Sequence, residues 1–432
     1  MALALESFKD RRVVAAVSIV ISALICYQAA RNWLADFRLQ SSDSRTMERG
    51  VALEPGNGNA WDRLGRYHQW NLENPDPAQA IGEFEHATHD DPRSAHFLMD
   101  LAGAYEAAGD SARSKEAWER ARSVYPASAE VDWNFANFLL RQRQFPEAYA
   151  EIHKAVLADP KYLPLAISRV WRSSRDVNQL LDHVVPPENK AYFEALDFFA
   201  SNQLVDPGLE VWRRLILLGQ PFHIELCFPF LNEVIQENRS SEAREIWDGA
   251  LKSAGISRGN SAESSLLWNG DFSQDFVNGG LGWRWSSPPG TVIDFDLPPQ
   301  GVAGRSVRID FGGGVNLGLN EPIQYVPVEP GQTYHFKGFI RTESISTESG
   351  MRFLICDSAH PDTLRELTEG IIGTKTWTLA EVDIAAGPET HFLVVSLRRI
   401  PSRLFENKLS GTVWIAGLSL ASADESREPA KK

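Results

Sequence analysis

The chain has few cysteines and no surplus of positive charge, and each deficit argues against some classes of function. Its three cysteines, Cys26, Cys227 and Cys356, are far apart in 432 residues. They form no metal-ligand spacing and no disulfide framework, so we expect buried free thiols at Cys227 and Cys356. Lys and Arg number 43 against 57 Asp and Glu, a net charge of −14. Because phosphate binding needs clustered cations, this balance argues against a general nucleic-acid role.

Catalytic motifs are also scarce. The sequence contains no His-Glu-x-x-His pair and no phosphate-cradling loop. The letters Asp-Phe-Gly at 310–312 match a kinase motif, but they precede a run of glycines and indicate a strand entering a turn. His86 and His89 have no third ligand nearby, which favours a solvated helix face. We therefore predict no enzyme activity, no cofactor and no metal.

A regular spacing of prolines organises the N-terminal half. Pro92, Pro126 and Pro160 stand at two intervals of 34 residues, each after a segment with alanines at matching offsets. Small residues allow two helices to cross closely, and proline ends the second helix. Each helix pair leaves an apolar face that only its neighbour can cover, so the pairs should stack into a solenoid.

Over about residues 44–160 this pattern resembles the tetratricopeptide repeat family. The loop at 71–77 is about three residues longer than the family's period allows. The resemblance implies that the first helix of each pair lines a groove that binds protein. The groove positions carried over from the family are Asp62, Arg66, Gln69, Trp70, Met99, Glu106, Trp133, Asn137 and Arg141. Trp, Arg and Met commonly anchor interfaces, although Trp70 and Trp133 have the alternative of packing against adjacent helices.

Beyond Pro160 the spacing fades while apolar-periodic helices continue, and we assign 161–256 to degenerate helical repeats. A polar linker is expected at 257–265. The predicted helices are Leu163–Trp171, Val177–Val185, Ala191–Phe199, Leu209–Leu218, Ile224–Gln236 and Ser241–Ser253.

From residue 266 onward, short alternating runs between Gly, Pro and Asn turns predict an antiparallel β-sandwich. A frayed tail is expected at 422–432. The predicted strands are Val292–Phe295, Ser306–Asp310, Ile323–Val326, Thr333–Arg341, Met351–Cys356, Trp377–Ile384, His391–Leu397 and Thr412–Leu420.

Three phrases of this segment, at 268–272, 328–334 and 411–415, resemble the jelly-roll sandwiches of carbohydrate-binding modules over about 266–421. The resemblance implies contact with glycan, for which Trp285 is the candidate stacking residue and core packing the alternative. Where the family carries the acidic residues of a structural calcium site, this chain has Ser273 and Ala416-Gly417, and these departures leave the presence of that calcium open.

An uncharged run of 18 residues, Val13–Ala30, lies near the N-terminus. As a helix it would span about 27 Å, close to the hydrocarbon thickness of a bilayer. Basic residues precede the run, so the positive-inside rule keeps residues 1–12 in the cytoplasm.

Three alternatives compete with a membrane anchor at 13–30. A cleavable signal peptide would place Tyr27 or Gln28 at the −3 position, where a small residue is needed. A lipoprotein at Cys26 is disfavoured by the bulky Ile25, and a buried soluble helix by the flanking charges. We predict an uncleaved single-pass anchor.

Together these features predict a multidomain fold class: an N-terminal transmembrane helix, an all-α tetratricopeptide-like solenoid (31–160, degenerate over 161–256) and a C-terminal all-β jelly-roll sandwich (266–421). We expect a scaffold of the inner (cytoplasmic) membrane, with its bulk in the periplasm, that binds protein partners in the groove. The domain pairing suggests surface polysaccharide assembly or export. The alternatives are a glycan-binding protein that uses the solenoid as a spacer, and a hydrolase with convergent carboxylates on the sandwich.

Overall fold

The computed structural model describes residues 8–71, 75–257 and 265–423, with side chains from residue 12 onward. The predicted N-terminal cytoplasmic segment, the polar linker and the tail lie mostly outside these residues. The described chain is helical first and then all-β, as the sequence predicts. The helices are α1 (Phe8–Leu39), α2 (Ser44–Val51), α3 (Gly58–Trp70), α4 (Pro77–Asp90), α5 (Ala95–Ala107), α6 (Ser111–Val124), α7 (Ala129–Arg141), α8 (Phe145–Ala158), α9 (Leu163–Ser174), α10 (Val177–His183), α11 (Asn189–Ser201), α12 (Val205–Leu217), α13 (Phe228–Gln236) and α14 (Ser240–Ala254).

All eight predicted strands are present, and a ninth, β6, was missed because three residues are too few to show alternation. The strands form two antiparallel sheets, one of five strands in the order β1-β2-β9-β4-β7 and one of four in the order β3-β8-β5-β6. The strands are β1 (Thr291–Asp296), β2 (Ser306–Gly312), β3 (Leu319–Pro327), β4 (Thr333–Ile345), β5 (Arg352–Asp357), β6 (Arg365–Leu367), β7 (Gly373–Ala385), β8 (Phe392–Arg399) and β9 (Ser410–Ser422).

The chain divides into two compact units. The first comprises residues up to 166 together with 182–184, and the second comprises 167–181 together with everything from 185 onward. The second unit therefore contains both helices α11 to α14 and the two sheets. The domain boundaries expected at 160 and 256 remain predictions.

In the first unit, α1 is a continuous helix of 32 residues. Its segment from Arg12 to Leu39 has a mean hydropathy of 2.2 and is long and apolar enough to cross a membrane. Side chains over 13–30 are exposed, whereas Ala35 and Leu39 are buried against α2. The helix is thus held by its C-terminal end alone, and its apolar N-terminal part has no protein cover within the described residues.

Three helical hairpins follow: α3 with α4, α5 with α6, and α7 with α8. Helices α5 and α7 begin at Ala95 and Ala129, which is one period of 34 residues. Side chains cap the hairpin helices, with Ser94, Asp110 and Ser128 accepting hydrogen bonds from the first turns of α5, α6 and α7. The connection between α3 and α4 runs over 71–76 and is three residues longer than the one at 108–110, as the sequence indicated.

The hairpins close on small residues. Gly65 of α3 faces the fully buried ring of Phe84 on α4, and a Cβ added to Gly65 would lie 2.8 Å from that ring. Phe84 and Trp118 then share one apolar cluster with residues of α5 and α7, so each hairpin covers the exposed face of the next.

In the second unit, the two sheets pack face to face. Val307 and Ile309 of the five-stranded sheet and Phe353 and Ile355 of the four-stranded sheet are fully buried in the same cluster. The alternation of inward and outward residues along these strands produces a sandwich core. Cys227 and Cys356 are free and buried, which confirms the expectation for them.

The last two helices pack directly on the sandwich. Gly279 has the ring of Phe228 so close that an added Cβ would lie 2.1 Å from it, and Gly280 lies against the ring of Trp247 in the same way. Trp247 in turn makes an edge-on contact with Trp268, with ring centroids 5.5 Å apart. This contact explains why the helices and the sheets form one compact unit.

The close approach of α3 and α4 at Gly65 can be tested by mutation. We expect Gly65→Ala to lower the free energy of unfolding by about 1–3 kcal/mol, because overpacking against Phe84 exceeds the helix-propensity gain of up to about 1 kcal/mol. The matched control is Gly82→Ala in α4, where an added Cβ meets no atom within 4 Å. The control should stabilise the protein by about 0.5–1 kcal/mol. Urea denaturation followed by circular dichroism measures both, and equal effects would contradict the close crossing.

Candidate functional site

The first helices of the three hairpins border a groove of about 600 Å³. Because these helices repeat at one period, their side chains at equivalent positions converge on the same face. The residues that line the groove are Gln69, Trp70, His96, Met99, Asp100, Gly103, Glu106, Ala107, Trp118, Glu130, Asn134 and Arg141.

Five of the nine residues predicted from the sequence lie on this lining. Two of them, Trp70 and Met99, are apolar, with Trp70 exposed to 72% of its surface. The packing alternative considered for Trp70 is therefore not what the structure shows. The five lining residues are Gln69, Trp70, Met99, Glu106 and Arg141.

The other four predicted residues lie beside the groove. Trp133 is half-buried, and its ring centroid is 5.2 Å from that of Tyr162, so it packs within the fold. Asn137 donates a hydrogen bond of 2.9 Å to the carbonyl oxygen of Trp133. Arg66 and Asp62 are ion-paired to each other at 3.2 Å. Whether these four contact a partner stays a prediction.

Ion pairs between hairpins stiffen the groove. Arg66 Nε donates to Asp100 Oδ2 at 2.7 Å, which links α3 to α5. Arg141 donates through Nε and Nη2 to both carboxylate oxygens of Glu106, at 2.6 and 2.7 Å, and links α7 to α5. Such bidentate pairs are geometrically specific. The first pair joins residues 34 apart and the second residues 35 apart, so each couples equivalent faces of adjacent repeats.

Asp62 is the most perturbed acid at this face. Its side chain is 8% exposed, and its Oδ1 is buried without a hydrogen-bond partner. Burial, reinforced by the nearby carboxylate of Asp100, raises the pKa of Asp62 to about 7, and Arg66 only partly opposes the shift. The carboxyl therefore gains or loses its proton near neutral pH.

The same cluster has the geometry of a cation site. One ligand atom each from Asp62, His96 and Asp100 lies within 4.8 Å of the other two. Arg66, however, already pairs with both carboxylates and supplies the compensating charge. His96 and Asp100 were missed from the sequence, although their spacing of four residues on α5 places them on one helix face.

On the sandwich, the tryptophans have different environments. Trp285, the candidate for sugar stacking, is half-buried and packs against the core, while Trp283 is fully buried in it. Trp377 is only half-buried and is not part of the core cluster. Trp414 is buried on the outer face, because its neighbours Val413 and Ile415 take the core positions; Arg341 covers its ring at 4.2 Å.

One further pattern in the sequence suggests nucleophilic catalysis by its letters alone. Gly-x-Ser-x-Gly occurs at 255–259, where Gly255 has left-handed backbone and ends α14. A catalytic serine elbow requires a turn from a strand into a helix. The serine at this position instead follows a helix end, so its context does not match that chemistry.

Comparison with known proteins gives distant likenesses. No family model and no curated protein matches the chain. Among solved structures, YrrB, described as a TPR protein with an unusual peptide-binding site, is 11% identical over 50% of this chain and 94% of its own, with a TM-score of 0.25. PilF of Pseudomonas aeruginosa is 16% identical over 52% and 88%, with a TM-score of 0.26. The enzymatically active domain of bacteriophage CBA120 tailspike protein 4 is 13% identical over 39% and 22%, with a TM-score of 0.28.

The raised pKa of Asp62 predicts a pH dependence. A carboxyl whose pKa is higher in the folded than in the unfolded state favours folding at low pH, and this contribution is lost as pH rises from about 4 through about 7. Asp62→Asn should therefore gain stability relative to wild type between about pH 4 and pH 8, by up to about 4 kcal/mol, since each pKa unit corresponds to about 1.4 kcal/mol. Urea denaturation at both pH values measures the difference.

The control is Asp110→Asn, at a helix cap. Hydrogen bonds from the backbone and side chain of Arg113 lower the pKa of Asp110. Because that pKa is lowered, the stabilising contribution of Asp110 is lost only below about pH 4, so Asp110→Asn should keep a nearly constant difference from wild type between pH 4 and pH 8. A pH-independent difference between Asp62→Asn and wild type would contradict the raised pKa.

Proposed function

We propose that the chain is a non-enzymatic scaffold that binds protein partners along the groove bordered by α3, α5 and α7. The observation that carries the proposal is Trp70, an indole exposed to 72% on the lining of that groove. Keeping a large aromatic surface in water is unfavourable, and its burial in a complex would contribute about 2 kcal/mol or more. Tryptophan is among the residues that most often dominate binding energy.

The surroundings of Trp70 support an extended protein segment as the partner. The groove presents Met99 beside polar side chains, a combination typical of interface surfaces. The pair of Glu106 and Arg141 is already formed, so these side chains lose little conformational freedom when a partner binds.

We further propose that α1 anchors this scaffold in a membrane. Support comes from its exposed apolar surface over 13–30 and from Trp33, which is 66% exposed and stacks with Phe37 just beyond the uncharged run. Tryptophan at this position suits a membrane interface. The basic residues before the run favour an N-terminus in the cytoplasm, with the remaining chain in the periplasm of an inner-membrane protein.

The β-sandwich is the basis for a more specific proposal, which concerns the process in which the protein acts. Its two antiparallel sheets are compatible with the jelly-roll resemblance, and the pairing of a helical scaffold with such a module suggests surface polysaccharide assembly or export. Glycan binding through Trp285 is the weaker candidate, since its ring packs partly against the sandwich core. Protein binding in the groove is therefore the function that we favour.

Replacing Trp70 tests the groove. In crosslinking pull-downs from membranes, full-length Trp70→Ala should recover the partners of the groove at about one-thirtieth of the wild-type level, the equivalent of about 2 kcal/mol. The matched control is Phe405→Ala, which removes a fully exposed aromatic ring from the second unit. It should leave recovery unchanged. An identical partner set for Trp70→Ala and wild type, with both proteins folded by circular dichroism, would refute the groove.

Membrane attachment is tested separately. The full-length chain should remain in the membrane pellet after alkaline extraction, because about 18 apolar residues span the bilayer. A chain that lacks residues 1–31 should move to the soluble fraction while keeping the buried Ala35 and Leu39. Intact mass of the pelleted protein distinguishes an anchor from a cleaved signal peptide. Release of the full-length chain by the alkaline wash would count against the anchor.

A further inference from the structure

One arginine of the second unit, Arg284, lines a cavity and has no acidic partner among the residues that the structure describes. The main chain of Arg284 pairs with Ile323 of β3, with hydrogen bonds of 2.9 and 3.1 Å in the two directions. This pairing places the side chain beside the outer face of the four-stranded sheet. There its Cζ lies 4.9 Å from the centroid of the Tyr325 ring.

The guanidinium group of Arg284 is incompletely satisfied. Nη2 donates to Asn232 Oδ1 at 2.9 Å and to the carbonyl oxygen of Gly280 at 2.7 Å, whereas Nε is buried with no hydrogen-bond partner. Throughout the described ranges no carboxylate forms an ion pair with it. Burial lowers the pKa of Arg284, opposed only by Tyr325. A cation withdrawn from water without a counter-ion is unfavourable, and a bound anion would remove that penalty.

The cavity has room for such an anion. Its volume is about 390 Å³, within the range of small-molecule sites. Besides Arg284, its walls offer amide groups and hydroxyl groups, which can donate to an anion or bond to the hydroxyls of a sugar. The side chains that provide them are Asn232, Gln236, Asn238, Tyr325 and Ser358.

The face of the sheet next to the cavity carries the same sign of charge. Arg352 of β5 and Arg398 of β8 are direct cross-strand partners, an arrangement that is unfavourable for like charges. Arg365 of β6 lies in one cross-strand row with Tyr325. Among the described residues none of these three arginines has an acidic partner in an ion pair. On the other sheet, by contrast, Arg308 pairs with three carboxylates.

We propose that the cavity beside Arg284 binds an oxyanion, either free phosphate or the carboxylate of an acidic sugar. Arg284 supplies the charge, the amides of Asn232 and Asn238 orient the ligand, and the remaining arginines of the sheet face keep the local potential positive in a chain of net charge −14. The site uses no residue of the groove and does not depend on the scaffold function.

Isothermal titration of the full-length chain in nonionic detergent tests the site, with inorganic phosphate, glucuronate and uncharged glucose as probes. Wild type should bind at least one of the two anions saturably, with a Kd of about 1 mM or below. Tighter binding of glucuronate identifies an acidic sugar as the ligand, and tighter binding of phosphate identifies a free phosphate. Glucose should bind at least tenfold more weakly than the preferred anion.

Two substitutions locate the site. Gln236→Glu adds a carboxylate to the cavity wall at an exposed residue, so it should weaken anion binding tenfold or more without disturbing the fold. Gln220→Glu makes the same charge change at an exposed residue that does not line the cavity, and should stay within twofold of wild type. Absence of saturable anion binding, equal affinity for glucose, or unchanged binding by Gln236→Glu would overturn the proposal.

Discussion

The first unit depends on a close contact between a helix backbone and an aromatic ring. The ring of Phe84 occupies the space that a side chain at Gly65 would need, so the two helices of the hairpin approach at one distance only. Each hairpin still has an apolar face, which the next hairpin covers. The stacked hairpins place their first helices along one side, where these helices border the groove.

Alignment of the first helices brings charged side chains from different repeats together. Arg66 meets Asp100 and Glu106 meets Arg141 because each pair spans about one period. These pairs neutralise most of the groove's charge within the protein. Trp70 stays exposed on the groove lining, whereas Asp62 is buried beside the groove, where burial raises its pKa to about 7.

In the second unit, contacts between a glycine backbone and an aromatic ring join helices to the sandwich instead of one helix to another. Gly279 and Gly280 admit the rings of Phe228 and Trp247, so the last two helices lie directly on the sandwich. The chain then continues to Arg284, whose guanidinium is consequently enclosed beside α13. The packing of α13 on the sandwich thus encloses a guanidinium that has no acidic partner within the described part of the chain. Neither the helices nor the sheets would form that cavity alone.

Local pattern determined the secondary structure of this protein. The 34-residue period located the hairpins, and alternation located every strand except the three-residue β6, since side-chain periodicity reports which face of an element is buried. The sequence also placed Gln69, Trp70, Met99, Glu106 and Arg141 on one surface. Only the tertiary structure showed that Trp133 is half-buried against Tyr162 and that Arg284 has no acidic partner among the described residues. Such properties depend on which residues, far apart in the sequence, pack around a side chain and exclude water from it. Local sequence patterns do not contain that information.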